Sequence, residues 1–200
     1  MTELPQRAPA AERNKHAILA VLERVLPQSG LAVEIASGTG QHVVHFASAL
    51  PGLTWQPTEI DPWMRQSTSA WLAETGLSNV LPPLDLDVCQ PEWPVERADA
   101  VLCINMIHIS PWRATECLIA GCQSLLRPGG ILFLYGPYRR FGRHTAPSNE
   151  AFDASLRQRD PQWGVRDLEA VVETAERHGL GLSEIVEMPV NNLSVVFVRS

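Results

Sequence analysis

Apolar residues recur along this chain with two alternating periods. Ala17, Ile18, Val21, Leu22 and Val25 stand at helical spacing, which predicts a helix over 12–26 that Pro27 stops. After the Gln28-Ser29-Gly30 turn, a short apolar run over 31–35 has the length of a buried strand. The alternation continues with a helix over 41–50 ended by Pro51-Gly52, a strand over 53–59, and a helix over 62–75 with Gly76 as its C-terminal signal. Pro57 lacks a ladder donor, so the second strand should bulge or end early. A short strand over 80–86 follows, its ends blurred by Pro82-Pro83, then a loop over 90–97 and a strongly apolar strand over 98–105. A helix over 111–126, the turn Arg127-Pro128-Gly129-Gly130 and an apolar strand over 131–135 come next. Residues 136–160 are polar and rich in Arg, Pro and Ser, which predicts a long loop with some helix over 148–157. Asp167 caps a last helix that Gly179 ends, and strands over 182–188 and 193–199 flank Pro189-Val190-Asn191-Asn192 as an antiparallel hairpin.

Strands alternating with helices imply an α/β fold: a doubly wound, seven-stranded, mostly parallel sheet with a C-terminal antiparallel hairpin strand. A length of 200 residues suits one domain over 1–200, with 1–11 as a loose polar lead-in and 136–166 as a substrate loop or lid. No apolar run reaches membrane-spanning length, and 1–11 has no apolar core of a signal peptide, so a cytoplasmic location without membrane partners is expected. The net charge of −6 argues against a nucleic-acid backbone as the main partner. Cys89, Cys103, Cys117 and Cys122 form no CxxC pair, and all four are expected as reduced thiols, Cys103 as a small buried hydrophobe.

The chemistry concentrates in Val33-Glu34-Ile35-Ala36-Ser37-Gly38-Thr39-Gly40, where apolar residues lead into an acid and then a loop of small residues. Without Cβ atoms, Gly38 and Gly40 let the backbone bend sharply and lie against a ligand. A strand, a tight glycine turn and a helix make the first half of a nucleotide-binding unit. Nineteen residues beyond Gly40 stands Glu59-Ile60-Asp61, an acid pair at the end of the second strand, where a carboxylate offers two oxygens to two ribose hydroxyls. Glu59 fits that place and Asp61 the cap of the next helix; the reverse assignment stays open. A nicotinamide dinucleotide is disfavoured, because Gly38-Thr39-Gly40-Gln41-His42-Val43 has no third glycine at the required spacing.

These motifs resemble the class I S-adenosylmethionine (SAM) dependent methyltransferases over nearly the whole chain. Glu34 to Gly40 resembles that family's acid-x-Gly-x-Gly-x-Gly loop, with Ala36 at the usual first glycine; Leu86-Asp87-Val88 resembles its adenine-binding acid, with Asp85 as competitor. Leu126-Arg127-Pro128-Gly129-Gly130 resembles its Leu-x-Pro-Gly-Gly turn. More narrowly, the chain resembles the methyltransferase-like twenty-six family in Ala11-Glu12-Arg13-Asn14-Lys15, Trp55-Gln56-Pro57, Asn105-Met106-Ile107-His108-Ile109, Tyr135-Gly136-Pro137-Tyr138, the run from Asp160 to Asp167, and Met188-Pro189-Val190-Asn191-Asn192. The resemblance implies a Rossmann-like methyltransferase fold, SAM as cofactor, and no established substrate. It assigns cofactor contacts to Arg13, Asn14, Glu34, Ala36, Ser37, Gly38, Gly40, Glu59, Ile60, Asp87, Val88 and Asn105.

Asn105, His108 and Tyr138 are the groups expected near the transferred methyl. Asn105 ends a strand at the ligand edge of the sheet and equally suits a plain turn. His108 titrates near neutrality and suits a general base, while its neighbours Ile107 and Ile109 equally permit a structural histidine. Arg139, Arg140, Arg143 and His144 form a basic cluster that suits an anionic substrate or a solvated loop. Trp163 and Arg166 are expected to pack the long loop back onto the site. His42 and His45 lie three apart without a third ligand, so no metal is expected. The expected activity is methyl transfer to an O, N or S atom of an unidentified small molecule; the alternative is a SAM-binding or SAM-sensing interaction protein without turnover. No oligomeric state follows from the sequence.

Overall fold

Strands buried on both faces carry near-continuous apolar runs, and those runs form the centre of one sheet. In the computed structural model, which describes residues 5–200, the central strands are β1 (Gly30–Ile35), β2 (Leu53–Pro57), β3 (Ala98–Ile104) and β4 (Leu126–Arg140). They run parallel, and the antiparallel pair β7 (Leu180–Met188) and β8 (Asn192–Arg199) completes the order β2-β1-β3-β4-β8-β7. Two short strands lie off this path: β5 (Arg143–His144) and β6 (Arg166–Asp167), both paired with β4. The helices are α1 (Pro9–Val25), α2 (Gln41–Ala49), α3 (Pro62–Thr75), α4 (Trp112–Leu125), α5 (Pro147–Arg159) and α6 (Leu168–Arg177). This is the expected doubly wound α/β architecture.

Strand alternation divides the core in two. Ala32, Ala100, Leu102, Phe133 and Tyr135 face α1 and α2, while Val33, Ile35, Val101, Cys103 and Leu134 face α4 and α6. Because β1 lies between β2 and β3, the winding direction reverses there, and the crevice at the C-terminal ends of β1 and β3 is where such sheets receive ligands.

Several expectations change. The strand expected over 80–86 is reduced to two bridges, Trp55 to Val80 and Thr58 to Leu84, because Pro82 and Pro83 bring no N–H to the ladder. The described part of the lead-in is docked: the Gln6 N–H donates to Ser67 Oγ at 2.8 Å, the Trp71 indole donates to the Gln6 carbonyl at 3.1 Å, and α1 begins at Pro9. Residues 1–4 of that lead-in lie outside the described residues. The expected lid over 136–166 is built structure, since β4 runs on to Arg140 and is followed by β5, α5 and β6. The Arg127-Pro128-Gly129-Gly130 turn becomes a bulge, with Ala98 paired to Leu126 and Ala100 to Ile131. Cys89 and Cys117, expected as thiols, form a disulfide; a separation of 28 residues hides it in sequence, while a Cα–Cα distance of 5.1 Å makes it possible in the fold. Cys103 and Cys122 are free and buried. Among the described residues no helix is long and apolar enough to cross a membrane.

Candidate functional site

The loop between β1 and α2 turns through three left-handed residues: Ala36 at φ 53°, Gly38 at 54° and Gly40 at 85°. The two glycines serve different ends. A Cβ on Gly40 would come within 2.8 Å of the Thr68 Cα, so Gly40 lets α3 pack against the loop. A Cβ on Gly38 would meet nothing within 4 Å, so that part of the loop faces open space. Ala36 holds a conformation that L side chains rarely adopt, which explains why glycine is the usual residue at its place.

Two carboxyl groups lie behind the loop. Glu59 is buried, and its oxygens accept from the Gly38 N–H at 2.9 Å and the Asp61 N–H at 3.1 Å. Asp61 caps α3 by accepting from the Trp63 N–H at 2.9 Å. Glu34 is 1% exposed, and its Oε2 has no hydrogen-bond partner. Burial, with a lesser contribution from the Glu59 charge, raises its carboxyl to about 8, so it is neutral at physiological pH. On the segment between α3 and β3, Asp85 pairs with Arg65 at 3.1 Å, whereas Asp87 accepts from the Cys89 N–H at 2.9 Å. Val88 is buried and Ile60 exposed at the outer rim. The Cys89–Cys117 disulfide and the Trp93 indole, which donates to the Val88 carbonyl at 3.1 Å, fasten this segment against α4.

A separate cavity of about 420 Å³ opens at the ends of β3 and β4, beneath α1, α5 and the turn before β8. Arg13 and Asn14 reach it from α1, Asn105 from the end of β3, and Tyr135 and Pro137 from β4. Asn14 Oδ1 lies 2.8 Å from His42 Nε2. Burial pushes His42 down to about 4, so its ring is neutral; the Nε2–H tautomer donates to that oxygen and leaves the Asn14 amide nitrogen for other partners. Burial raises the Tyr135 phenol above its ordinary value, partly offset by hydrogen bonding from Asn14 and Asn192.

The expected site residues therefore separate into three places. Glu34, Ala36, Ser37, Gly38, Gly40, Glu59 and Ile60 gather at the crevice over β1 and β2, with Asp87 and Val88 on the neighbouring segment. Arg13, Asn14 and Asn105 line the cavity. His108 and Tyr138, expected beside the methyl, are fully buried and line neither place. His108 Nδ1 accepts from the Arg166 N–H at 3.3 Å, so Nε2 carries the proton, and burial together with the Arg166 charge lowers the ring to about 3. That histidine has no free basic nitrogen. Tyr138 stands edge-on to it at 5.1 Å with its hydroxyl unpartnered. The strand continues past Tyr135, and its alternation sends Tyr138 to the α4 and α6 face while Tyr135 and Pro137 face the cavity. Tyr135 is the cavity residue missed in the sequence; the parity of a longer strand is the signal that finds it. The basic cluster is also elsewhere: Arg140 pairs with Glu169 at 3.1 Å and His144 lies 3.6 Å from Asp153, and none of its members lines the cavity. Arg166 does bind the long segment down, donating to the Ile107 carbonyl at 2.8 Å, the Gln162 carbonyl at 3.0 Å and the Ser110 carbonyl.

The family model described as a protein of unknown function (DUF938) matches residues 5–199. Among solved structures, an O-methyltransferase family protein from Burkholderia thailandensis superposes with a TM-score of 0.83 at 17% identity, covering 96% of this chain and 57% of its own. The SAH-bound form of CalO1, a methyltransferase in calicheamicin biosynthesis, gives 0.72 at 15% identity, covering 94% and 55%. A putative sarcosine dimethylglycine methyltransferase from Galdieria sulphuraria gives 0.76 at 13% identity, covering 96% and 87%. The fold is thus that of these methyltransferases, and the chain spans little more than half the length of the first two.

Proposed function

The chain belongs to the DUF938 family, and from that premise we propose that it is a SAM-dependent methyltransferase acting on a small molecule. The observation that carries this reading is Glu34: a buried carboxyl with an unpartnered oxygen, on the strand that leads into a glycine loop whose Gly38 faces open space. A cation placed beside that carboxyl would favour its ionised form, and SAM brings an ammonium and a sulfonium. The SAH-bound form of a fold neighbour supports the same cofactor. The motifs shared with the methyltransferase-like twenty-six family favour kinship with it.

SAM, when bound, supplies an electrophilic methyl for in-line transfer to an O, N or S nucleophile. The chain's own part is to hold and align. Glu59 receives the ribose hydroxyls on lone pairs that the Gly38 and Asp61 amides leave free. Asp87 and the Val88 backbone receive the adenine edge, Ile60 covers its face, and Glu34, giving up its proton as the cation approaches, would compensate the ammonium. Ser37, whose N–H donates to the Thr58 carbonyl at 2.9 Å, braces the loop. Asn14 and Asn105 orient the groups at the border between crevice and cavity. Alignment and exclusion of water supply most of the acceleration such a reaction needs.

Titration calorimetry with S-adenosylhomocysteine (SAH) tests the cofactor, and Glu34→Gln should weaken binding about tenfold. Incubation with labelled SAM and a metabolite extract, followed by a search for enzyme-dependent methylated product, tests turnover. The burial of His108 and Tyr138 favours a second reading, a SAM-sensing protein, because it leaves neither of those side chains as a base beside the cavity. Tight SAH binding with no product across broad extracts supports that reading and sinks the enzyme.

A further inference from the structure

We infer that the cavity beside the crevice takes a small apolar acceptor carrying a carboxylate, and that Arg13 anchors the carboxylate. This rests on the methyltransferase reading for the word acceptor, while the recognition itself rests on the cavity alone.

Charge is the first ground. Among the residues lining the cavity, Arg13 is the one that carries a formal charge; the remaining polar groups are amides and hydroxyls, with Asn14, Asn105 and Asn192 foremost. Among the described residues Arg13 makes no ion pair. Its neighbour Glu12 is turned to another face, where it is held by Lys15 at 2.7 Å and Arg7 at 3.6 Å, and lines a different cavity. A planar guanidinium without an acid partner, at the edge of a mainly apolar chamber, is matched by a carboxylate, which takes two parallel hydrogen bonds from it.

Place is the second ground. Arg13 shares its cavity with Phe152 of α5 and Val190 of the turn before β8, and no residue of the 36–40 loop lines it. In the order β2-β1-β3-β4-β8 the glycine loop follows β1, whereas the chamber spans the ends of β3 and β4, beginning one strand further along the sheet. On the methyltransferase reading, this places the cation with the acceptor and not in the adenosyl crevice.

The third ground is the construction of the rim. Ile109, Phe152 and Val190 are 42%, 39% and 71% exposed, apolar side chains kept at the mouth rather than folded in. Val190 and Asn191 both sit in left-handed backbone, at φ 60° and 58°. A β-branched residue in that region is held against backbone strain. The turn is held by α5: the Asn149 amide donates to the Asn191 carbonyl at 2.8 Å, and the Asn191 amide to Ser148 Oγ at 3.1 Å. A strained, braced turn that presents an apolar side chain is a clamp for an apolar ligand. At about 420 Å³ the chamber suits a molecule of one or two rings or a short chain.

The experiment compares matched acids and amides: benzoate with benzamide, naphthoate with naphthamide, octanoate with octanamide. Binding to the full chain is followed by ligand-observed NMR and calorimetry, with and without SAH. The acids should bind at least about tenfold more tightly than their amides, and Arg13→Gln should erase that difference while leaving the SAH affinity within about twofold. Phe152→Ala should weaken acids and amides alike. Equal binding of acid and amide, or no binding of any pair at millimolar concentration, overturns the inference. So does an Arg13→Gln variant that loses SAH instead, since Arg13 would then grip the cofactor. Failure of SAH to bind the wild type sinks the cofactor reading, and the acid-to-amide comparison without SAH still decides the role of Arg13.

Discussion

The Gly38 amide donates to the Glu59 carboxylate at 2.9 Å, and the Asp61 amide donates to the same carboxylate at 3.1 Å. The turn after β1 and the turn after β2 therefore share one buried anion. A carboxylate is required because both of its oxygens face donors. In Glu59→Gln the side-chain NH₂ would confront one of the two amides. We expect Glu59→Gln to lose about 1–3 kcal/mol of stability, the penalty of one unsatisfied buried N–H. SAH affinity should fall almost as far as in Glu59→Ala. Chemical denaturation and calorimetry check both; a Gln variant that binds SAH like the wild type removes Glu59 from the ribose.

Buried groups with displaced titrations set an optimum of stability. Glu34 titrates at about 8 in the fold against 4.5 for an exposed glutamate, so between those values the unfolded chain has released a proton that the native protein keeps. That difference makes stability fall as pH rises toward 8. His42 and His108 titrate at about 4 and 3 in the fold against 6.5 outside it, so below 6.5 the unfolded chain takes up two protons that the native protein refuses. That difference makes stability fall as pH drops. From 4.5 to 6.5 these two histidines outweigh Glu34 by one proton, so the three groups together raise stability by about 1.4 kcal/mol per pH unit, and His45, which burial also lowers, adds in the same direction; from 6.5 to 8 the Glu34 contribution reverses the slope. Calorimetric unfolding across this range should show a maximum near pH 6.5. Glu34→Gln should abolish the falling limb, and a flat wild-type curve on the alkaline side would show that the Glu34 carboxyl is not held neutral.

The three left-handed loop positions separate strain, packing and ligand approach. Ala36→Gly relieves a backbone strain of about 1–2 kcal/mol at the expense of chain entropy, so a net gain of up to about 1 kcal/mol is expected with SAH binding kept. Gly40→Ala drives a Cβ into the Thr68 backbone and should be the most destabilising of the three. Gly38→Ala meets no atom within 4 Å, so its loss of stability is limited to strain, about 1 kcal/mol. Its loss of SAH affinity should nonetheless be the largest of the three, because the new methyl would stand on the open face proposed for the cofactor. Equal affinity losses in Gly38→Ala and Ala36→Gly would mean that the open face of the loop is not the approach face.

The architecture was legible because periodicity survives folding: α2, α3, β1 and β3 lie within a residue or two of where their apolar spacing puts them. What was hidden depended on partners distant in sequence. Pro82 and Pro83 announced a damaged strand, but only pairing with β2 decides that two bridges remain. Apolar spacing alone ends β4 at Tyr135, before Gly136 and Pro137; pairing with Leu193 and Asn192 of β8 carries the strand through them. The parity of the longer strand puts Tyr135 on the cavity side and Tyr138 on the opposite face. The same lesson holds for Cys89 and Cys117, joined only because α4 returns beside the segment between α3 and β3. The local acids and glycines around β1 and β2 could be read directly, because that crevice is made from two short consecutive stretches.

Arg166 is the last residue whose role was visible in outline and sharpened by the structure. Its guanidinium donates to the carbonyls of Ile107, Ser110 and Gln162 and lies 5.8 Å from the Trp112 ring centroid, while its own N–H meets His108 Nδ1. One planar fork thus binds the segment after α5 to the turn that follows β3. That turn carries Asn105 and Ile109 into the cavity. Lysine has a single ammonium and cannot reach three carbonyls in one plane. Arg166→Lys should therefore lose about 3 kcal/mol, a fall in Tm of roughly 6–12 °C for a chain of this size. The glycine loop and Glu59 make no contact with this fork, so SAH affinity should stay near the wild-type value while binding of the carboxylate probes weakens. Parallel loss of SAH and probe binding in the folded variant would instead mean that crevice and cavity are one mechanical unit, and that Arg166 holds both.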